Sequence, residues 1–347
     1  MIKFKMNIYV QPVIQLVVQN NSDTDLGEYQ QRLTMDWSKF PSSFTSKLNP
    51  DLSNITILNA DGEMVYAWLE SDNFATSKTS TDTIWVKIPS LKAHSNYNLY
   101  LYPSGEFDGV YWGEAPQLSS TYAEYDNGKY VFNFYDNFAG TTLGSEWNSG
   151  ASGGTITVNN GLTETIPYNS SSSSYTYIST KDYQITGPSI IQSYANLNSF
   201  DTTNYRIVPV SLTQYNNTAW HADNSINEIG GGWVGNAFQT SGIDAETTND
   251  SSDNGFVHSN YISSNSNYNV FGIIYPDNGS FAVSYNSLSA YASTTSLVPS
   301  TPLYITISNW LDPSQTAFTT TYPMNVYWIR VLTYISSMPT VYLMGGQ

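Results

Sequence analysis

The chain has 347 residues, the length of two domains rather than one, and 40% of them are hydrophobic, enough for packed cores. Only 12% are charged, and 12 Lys+Arg against 28 Asp+Glu leave a net charge of −16, too few cations for a nucleic-acid-binding face or for attraction to an anionic membrane. The absence of cysteine excludes disulfides, thiolate metal sites and a Cys nucleophile, and leaves the redox compartment open.

In chain order, Ile2, Phe4, Met6, Ile8 and Val10 alternate with Lys3, Lys5, Asn7 and Tyr9, an amphipathic strand that Pro12 separates from the next. Such a strand serves either its own sheet or the sheet edge of a neighbouring subunit. Lys3 and Lys5 give this segment a superficial likeness to a signal peptide. Asn7, Gln11, Pro12 and Gln15 interrupt its apolar run, however, and no small-residue cleavage site follows. The expectation is a mature form, or a protein that reaches the exterior without a signal, as virion proteins do. No stretch approaches the ~20 apolar residues of a membrane span.

Strands are predicted at Val13–Val18, Asn54–Leu58, Thr83–Ile88, Tyr97–Tyr102, Thr155–Val158, Ser189–Tyr194, Val270–Tyr275, Leu303–Ser308 and Met324–Tyr334. Asp61-Gly62, Asn127-Gly128, Asn160-Gly161, Asn254-Gly255 and Asn278-Gly279 mark turns between them. No window of helical length keeps a 3.6-residue period. The fold class is therefore all-β, two antiparallel β-sandwich domains. Residues 1–106 form the first, 107–130 a Gly/Pro/Ser-punctuated connector, and 131–347 the second. Asn169–Ser174 is a low-complexity loop. Glycosylation triplets stand at Asn20, Asn54, Asn169, Asn216, Asn249 and Asn278, in a chain so rich in Asn, Ser and Thr that several arise by chance.

Asn59, Asp61 and Gly62, then Ala67-Trp68-Leu69-Glu70-Ser71, then Trp85-Val86-Lys87-Ile88-Pro89, resemble a domain of unknown function common in archaeal and bacterial surface proteins. Its tyrosine-rich ending is present only as Tyr100-Leu101-Tyr102-Pro103-Ser104-Gly105. Phe132–Trp147, FNFYDNFAGTTLGSEW, resembles the opening of concanavalin-like jelly rolls that often follow that domain. Val326-Tyr327-Trp328-Ile329-Arg330-Val331 is similar to their closing strand, with Tyr327 in place of the usual Asp. The resemblance implies a concanavalin-like C-terminal domain. It does not select a function, since such sandwiches host lectins, glycan hydrolases and structural modules.

Related glucanases carry Glu-x-Asp-x-x-Glu, and glycoside hydrolysis needs two carboxylates. The nearest string, Glu124-Tyr125-Asp126-Asn127-Gly128-Lys129, has Lys where the second Glu belongs, and Glu228 has no acidic partner at i+2 or i+4. His94, His221 and His258 show no metal-ligand spacing, and no nucleophile elbow is present. No catalytic residue is assigned. Trp220, His221, Asp223, Glu228 and Trp233 are the candidate glycan-binding set, aromatic faces for sugar C–H surfaces beside polar groups for hydroxyls; the two tryptophans serve equally well as core. Asp244, Glu246, Asp250 and Asp253 lie in one acidic segment that serves either calcium, the single candidate cofactor, or solvent; Tyr261 stands where an EF-hand would place its last Glu.

These features predict a non-enzymatic exterior protein, a spike, fibre or adhesin of a virion or cell surface. Its partners are cell-surface or host glycans, further copies of itself, or other virion or surface structural proteins, and not nucleic acid. A stand-alone carbohydrate-binding module or degenerate glycoside hydrolase is the alternative; a capsid shell protein ranks below both. Few ion pairs also leave little to lose on acidification, so the composition suits a hot or acidic exterior as well as a generic extracellular one.

Overall fold

The computed structural model describes residues 13–50, 52, 54–70, 80–103, 126–166, 174–197, 205–219, 228–235, 242–249, 252–253, 257–258, 268–295, 298–299, 302–311 and 322–344. The N-terminal amphipathic strand, the Asn169–Ser173 part of the low-complexity loop and the Asn254-Gly255 turn lie outside them. The chain divides into two compact units, 1–133 with 335–347, and 134–334.

In the first unit the strands are β1 (Ile14–Gln19), β2 (Tyr29–Asp36), β3 (Ile55–Leu58), β4 (Ala67–Glu70), β5 (Thr81–Ile88) and β6 (Asn96–Pro103). In the second they are β7 (Phe134–Asp136), β8 (Trp147–Ser152), β9 (Thr155–Val158), β10 (Leu162–Ile166), β11 (Ser174–Ile185), β12 (Ser189–Asn196), β13 (Tyr205–Thr213) and β14 (Glu228–Gly235). They continue with β15 (Gly242–Asn249), β16 (Ser252–Asp253), β17 (Val257–His258), β18 (Asn269–Tyr275), β19 (Phe281–Tyr285), β20 (Ala292–Thr294), β21 (Leu303–Leu311) and β22 (Tyr322–Thr333). The last strand, β23 (Thr340–Leu343), returns to the first unit.

The first unit is a sandwich of two antiparallel sheets, β23-β1-β6-β3 and β2-β5-β4. Period-2 alternation sends Ile14, Leu16 and Val18 of β1 and Leu99 and Leu101 of β6 into one core with Leu33, Ile84, Val86 and Ile88 of the other sheet. On the opposite face of that second sheet, Trp68 and Trp85 are cross-strand partners, and Phe132 meets their rings edge-on at 5.3 and 6.1 Å. Gln30 Nε2 donates to the Val131 carbonyl at 3.1 Å and to Asn133 Oδ1 at 3.0 Å. These contacts hold residues 126–133 to the first unit, part of which the sequence reading assigned to a connector and part to the second domain. A second difference is the C-terminus. Leu343 pairs with Leu16 and Thr340 with Gln19, so 335–347 belong with the first sandwich, not with the jelly roll. Asn127-Gly128 opens a short helical turn, Gly128–Val131, rather than a hairpin.

The second unit is also a two-sheet antiparallel sandwich. One sheet runs β20-β19-β18-β12-β22-β10-β9, with β7 on β22; the other runs β16-β15-β14-β13-β21-β11-β8, with β17 on β15. The chain passes repeatedly from sheet to sheet, so neighbours such as β12 and β22 are far apart in sequence. Ile191, Ile273, Val326 and Ile329 of one sheet share a core with Ile178, Ile207, Ile229 and Ile305 of the other. The β9–β10 turn takes φ of 51° at Asn160 and 138° at Gly161, the left-handed conformation that Asn-Gly supplies.

Candidate functional site

Residues Phe134, Asp136, Phe138 and Trp147 of the jelly-roll opening pack on one another. Trp147 Nε1 donates to Asp136 Oδ2 at 2.6 Å, the Phe138 N–H donates to Asp136 Oδ1 at 2.8 Å, and both Phe138 and Trp147 are core residues. These contacts tie the motif into the fold. Asp126, in the hydrolase-like string, accepts Trp68 Nε1 at 2.9 Å and the Gly128 N–H at 2.8 Å, and is likewise structural.

The candidate site lies on the second unit's β8–β16 sheet, on the face turned away from the core. Ile229 is fully buried in that core. From Glu228 to Val234, β14 pairs with β15 without a register shift, so its residues alternate between faces. Of the expected binding set, Glu228 and Trp233 stand on this strand, Glu228 opposite Thr213 of β13 and Thr248 of β15, and Trp233 opposite Ile207 and Ile243. Trp220, His221 and Asp223 lie outside the described residues.

The acidic segment is corrected. Asp244 and Glu246 are not in a loop but on β15, opposite Gly232 and Gly230, and Asp253 is on β16 opposite Thr248. Asp250 lies outside the described residues. The register thus sets Glu228 of the predicted glycan set opposite Thr248, with Glu246 and Asp244 of the predicted calcium set successively along the neighbouring strand. Among the described residues no group of three or more His, Cys, Asp or Glu is arranged to hold a metal ion.

In the same sheet, hydroxyl side chains of β11, β13 and β21 bond one another. Ser179 Oγ lies 2.8 Å from Thr306 Oγ1, and Thr306 Oγ1 lies 2.7 Å from Thr213 Oγ1; Ser211 Oγ donates to the Thr306 carbonyl at 2.9 Å. Thr213 is the direct partner of Glu228, and Ser211 of Gly230. These hydroxyls are buried, and the turn after β13 is pinned to the sheet. Thr213 Oγ1 donates to the Tyr215 carbonyl at 2.8 Å, Asn148 Nδ2 to the Asn216 carbonyl at 3.2 Å, and Asn216 Nδ2 to the Lys181 carbonyl at 2.8 Å. The turn so pinned presents Tyr215, 50% exposed. The sequence reading missed Tyr215, whose only local signal was an aromatic residue among turn formers.

Glu164 was missed too. Leu162, Glu164 and Ile166 alternate on the buried face of β10, so a carboxyl points into the core. Its Oε2 accepts Thr176 Oγ1 at 2.8 Å, and Asn309 Nδ2 donates to its main-chain carbonyl at 3.0 Å. Burial pushes the carboxyl up to about 8, against smaller lowering effects from the Thr176 hydroxyl and the Asn309 and Ile178 N–H groups.

Of the glycosylation candidates, Asn20 and Asn54 are corrected. Asn20 is buried with Nδ2 bonded to the carbonyls of Thr24 and Lys92 and Oδ1 to Ser22; Asn54 is buried with Nδ2 on the Lys47 carbonyl. Asn216 spends its amide on the turn just described. Asn278 sits exposed in the β18–β19 turn, Asn249 is on β15, and Asn169 lies outside the described residues. His94 Nε2 meets Asp23 at the surface at 2.8 Å, His258 is on β17, and no helix of the described residues is long and apolar enough to cross a membrane.

No protein-family model matches the chain. A stretch of 122 residues is 33% identical to Uncharacterized protein 562 of Sulfolobus islandicus rod-shaped virus 1, spanning 35% of this chain and only 21% of the length of that relative. Among solved structures, the chain is similar to the metal-free carbohydrate recognition domain of Emp46p (12% identity, 55% of this chain and 90% of that one, TM-score 0.40). It is also similar to the legume lectin-like domain from Entamoeba histolytica (12%, 55% and 91%, TM-score 0.42) and to beta-agarase A in complex with oligoagarose (14%, 59% and 92%, TM-score 0.41). At these TM-scores the overlap is no basis for function.

Proposed function

We propose that the chain is a non-enzymatic exterior protein of a virion or cell surface that recognises glycans on the outward face of β13, β14 and β15. The observation that carries this reading is the exposed Tyr215, on the turn that follows β13, whose last residue Thr213 bonds the Tyr215 carbonyl and is paired with Glu228 of β14. An aromatic ring offers a sugar its apolar surface, and carboxylates accept its hydroxyls. The partial match to a viral protein supports the virion setting, and the alternating segment Ile2–Val10 supports self-association by strand addition. Titration calorimetry of the full-length chain against a panel of neutral oligosaccharides tests recognition: saturable heats support it, and none across the panel rejects it. Light scattering beside a chain lacking residues 1–11 tests assembly, with a defined oligomer falling to monomer as the expected result.

A second reading, a degenerate glycoside hydrolase, is favoured by one observation. Glu228 and Glu246 are diagonal neighbours on adjacent strands, about 7 Å apart at the backbone, and hydrolysis of a glycosidic bond needs two carboxyls at a separation of that order. Release of reducing ends from a β-glucan, abolished by Glu228→Gln, would establish it and displace the first.

A further inference from the structure

Three side chains in the core of the second unit form a polar constellation. Thr176 of β11 and Asn309 of β21 are direct cross-strand partners, and both face inward. Glu164 of β10, in the other sheet, meets them from across the core. All three are fully buried. The Thr176 hydroxyl donates to Glu164 Oε2 at 2.8 Å. Glu164 Oε1 and Asn309 Oδ1 are both buried acceptors with no donor. Two orphan acceptors in one cluster are costly. A proton on Oε1 would turn one of the two into a donor. The residues around the carboxyl are apolar or neutral: Ile156 of β9 and Met324 of β22 pair with Glu164, and Thr176 and Ile178 of β11 and Asn309 of β21 face it. The neutral acid is the form that burial favours.

A neutral carboxylic acid with one oxygen accepting a hydroxyl proton and the other donating to an amide oxygen has the parts of an acyl-transfer site. We infer that Thr176 and Asn309 are joined by an intramolecular ester bond whose formation Glu164 promotes. Thr176 Oγ1 attacks Asn309 Cγ as its proton passes to Glu164 Oε2, and the Oε1 proton passes to Oδ1, giving a tetrahedral carbon. The Cγ–Nδ2 bond then breaks, Nδ2 takes the proton from Oε2 and leaves as ammonia, and Oδ1 returns its proton to Oε1. Glu164 ends as it began, and no oxidant or co-reactant is consumed. The link Cα–Cβ–Oγ–Cγ–Cβ–Cα has as many bonds as a disulfide, and directly opposed antiparallel residues stand about 4.5–5.5 Å apart at Cα, within the range that such a link spans. The bond would staple β11 to β21 in a chain that has no cysteine.

Intact mass spectrometry of the full-length chain, denatured in acid, tests this. The expected result is a mass about 17 Da below that of the sequence, the ammonia lost on ester formation, with the full mass restored in Thr176→Val and in Glu164→Gln. A wild-type chain at full mass overturns the inference. So does a deficit that persists in Thr176→Val, because succinimide at an Asn-Gly pair such as Asn278-Gly279 also loses ammonia without needing Thr176.

Discussion

The indole N–H of Trp147 donates to the carboxyl of Asp136 at 2.6 Å, and the pattern recurs: Trp37 meets Asp82 and Trp85 meets Glu70 at 2.5 Å, and Trp68 meets Asp126 at 2.9 Å. A chain with 28 acids and 12 Lys+Arg cannot give most carboxylates a cation. Here a large apolar ring with one neutral donor both fills the sandwich and satisfies an acid. Replacing Trp147 by Phe keeps much of the volume but removes a donor from a half-buried carboxyl. Trp147→Phe is expected to cost roughly 2–4 kcal/mol in denaturant unfolding of the second unit. A loss under about 0.5 kcal/mol would show that the indole bond contributes little.

Burial raises Glu164 from 4.5 to about 8 and Asp136 from 3.8 to about 6, the latter aided by the nearby Glu146. The folded chain thus holds protons that the unfolded chain releases. The stability these groups confer is fully present below about pH 4 and is lost as pH rises, first through 6 and then through 8. The Tm at about pH 8.5 is expected to lie at least roughly 5 °C below that at about pH 5, the direction the low ion-pair count also favours. Glu164→Gln, permanently neutral, should flatten the upper part of this slope and leave the part due to Asp136. A Tm that rises steadily from acid to alkaline pH would contradict the account.

Removing residues 335–347 takes β23 from the first unit's sheet and leaves β1, with its row of Leu16, Val17 and Val18, as an open edge. Such an edge pairs with other chains. The truncated protein is expected to show a lower Tm and aggregates by light scattering. An unchanged Tm and a clean single species would mean that β23 does not stabilise the first sandwich.

The strands were legible because one face of each is buried: Ile14, Leu16 and Val18, or Leu162 and Ile166, betray a period of two whatever the topology. Asn160-Gly161 was legible because only a few residues accept its φ values. Pairing was not. The return of Thr340–Leu343 to Ile14–Gln19 joins residues more than three hundred positions apart, and nothing local in TVYL specifies that partner. The site failed for a related reason. AWHADNSINEIGGGW reads as one cluster in sequence, yet cross-strand register sets Glu246 diagonal to Glu228 from a segment that looked like a loop. Glu164 was overlooked because a charged residue in an alternating strand is ordinarily assigned to the solvent face, although the pattern L-T-E-T-I put it on the apolar one.

The most direct test of the proposed glycan-binding face is a glycan array probed with the full-length chain beside Tyr215→Ala and Glu228→Gln. Tyr215 is exposed and its anchoring bond comes from its main chain, so its replacement leaves the hydroxyl network intact. The account predicts a defined set of bound glycans, lost at least about tenfold in Tyr215→Ala and weakened in Glu228→Gln. Full retention of the same glycans by both variants would place recognition elsewhere and contradict it.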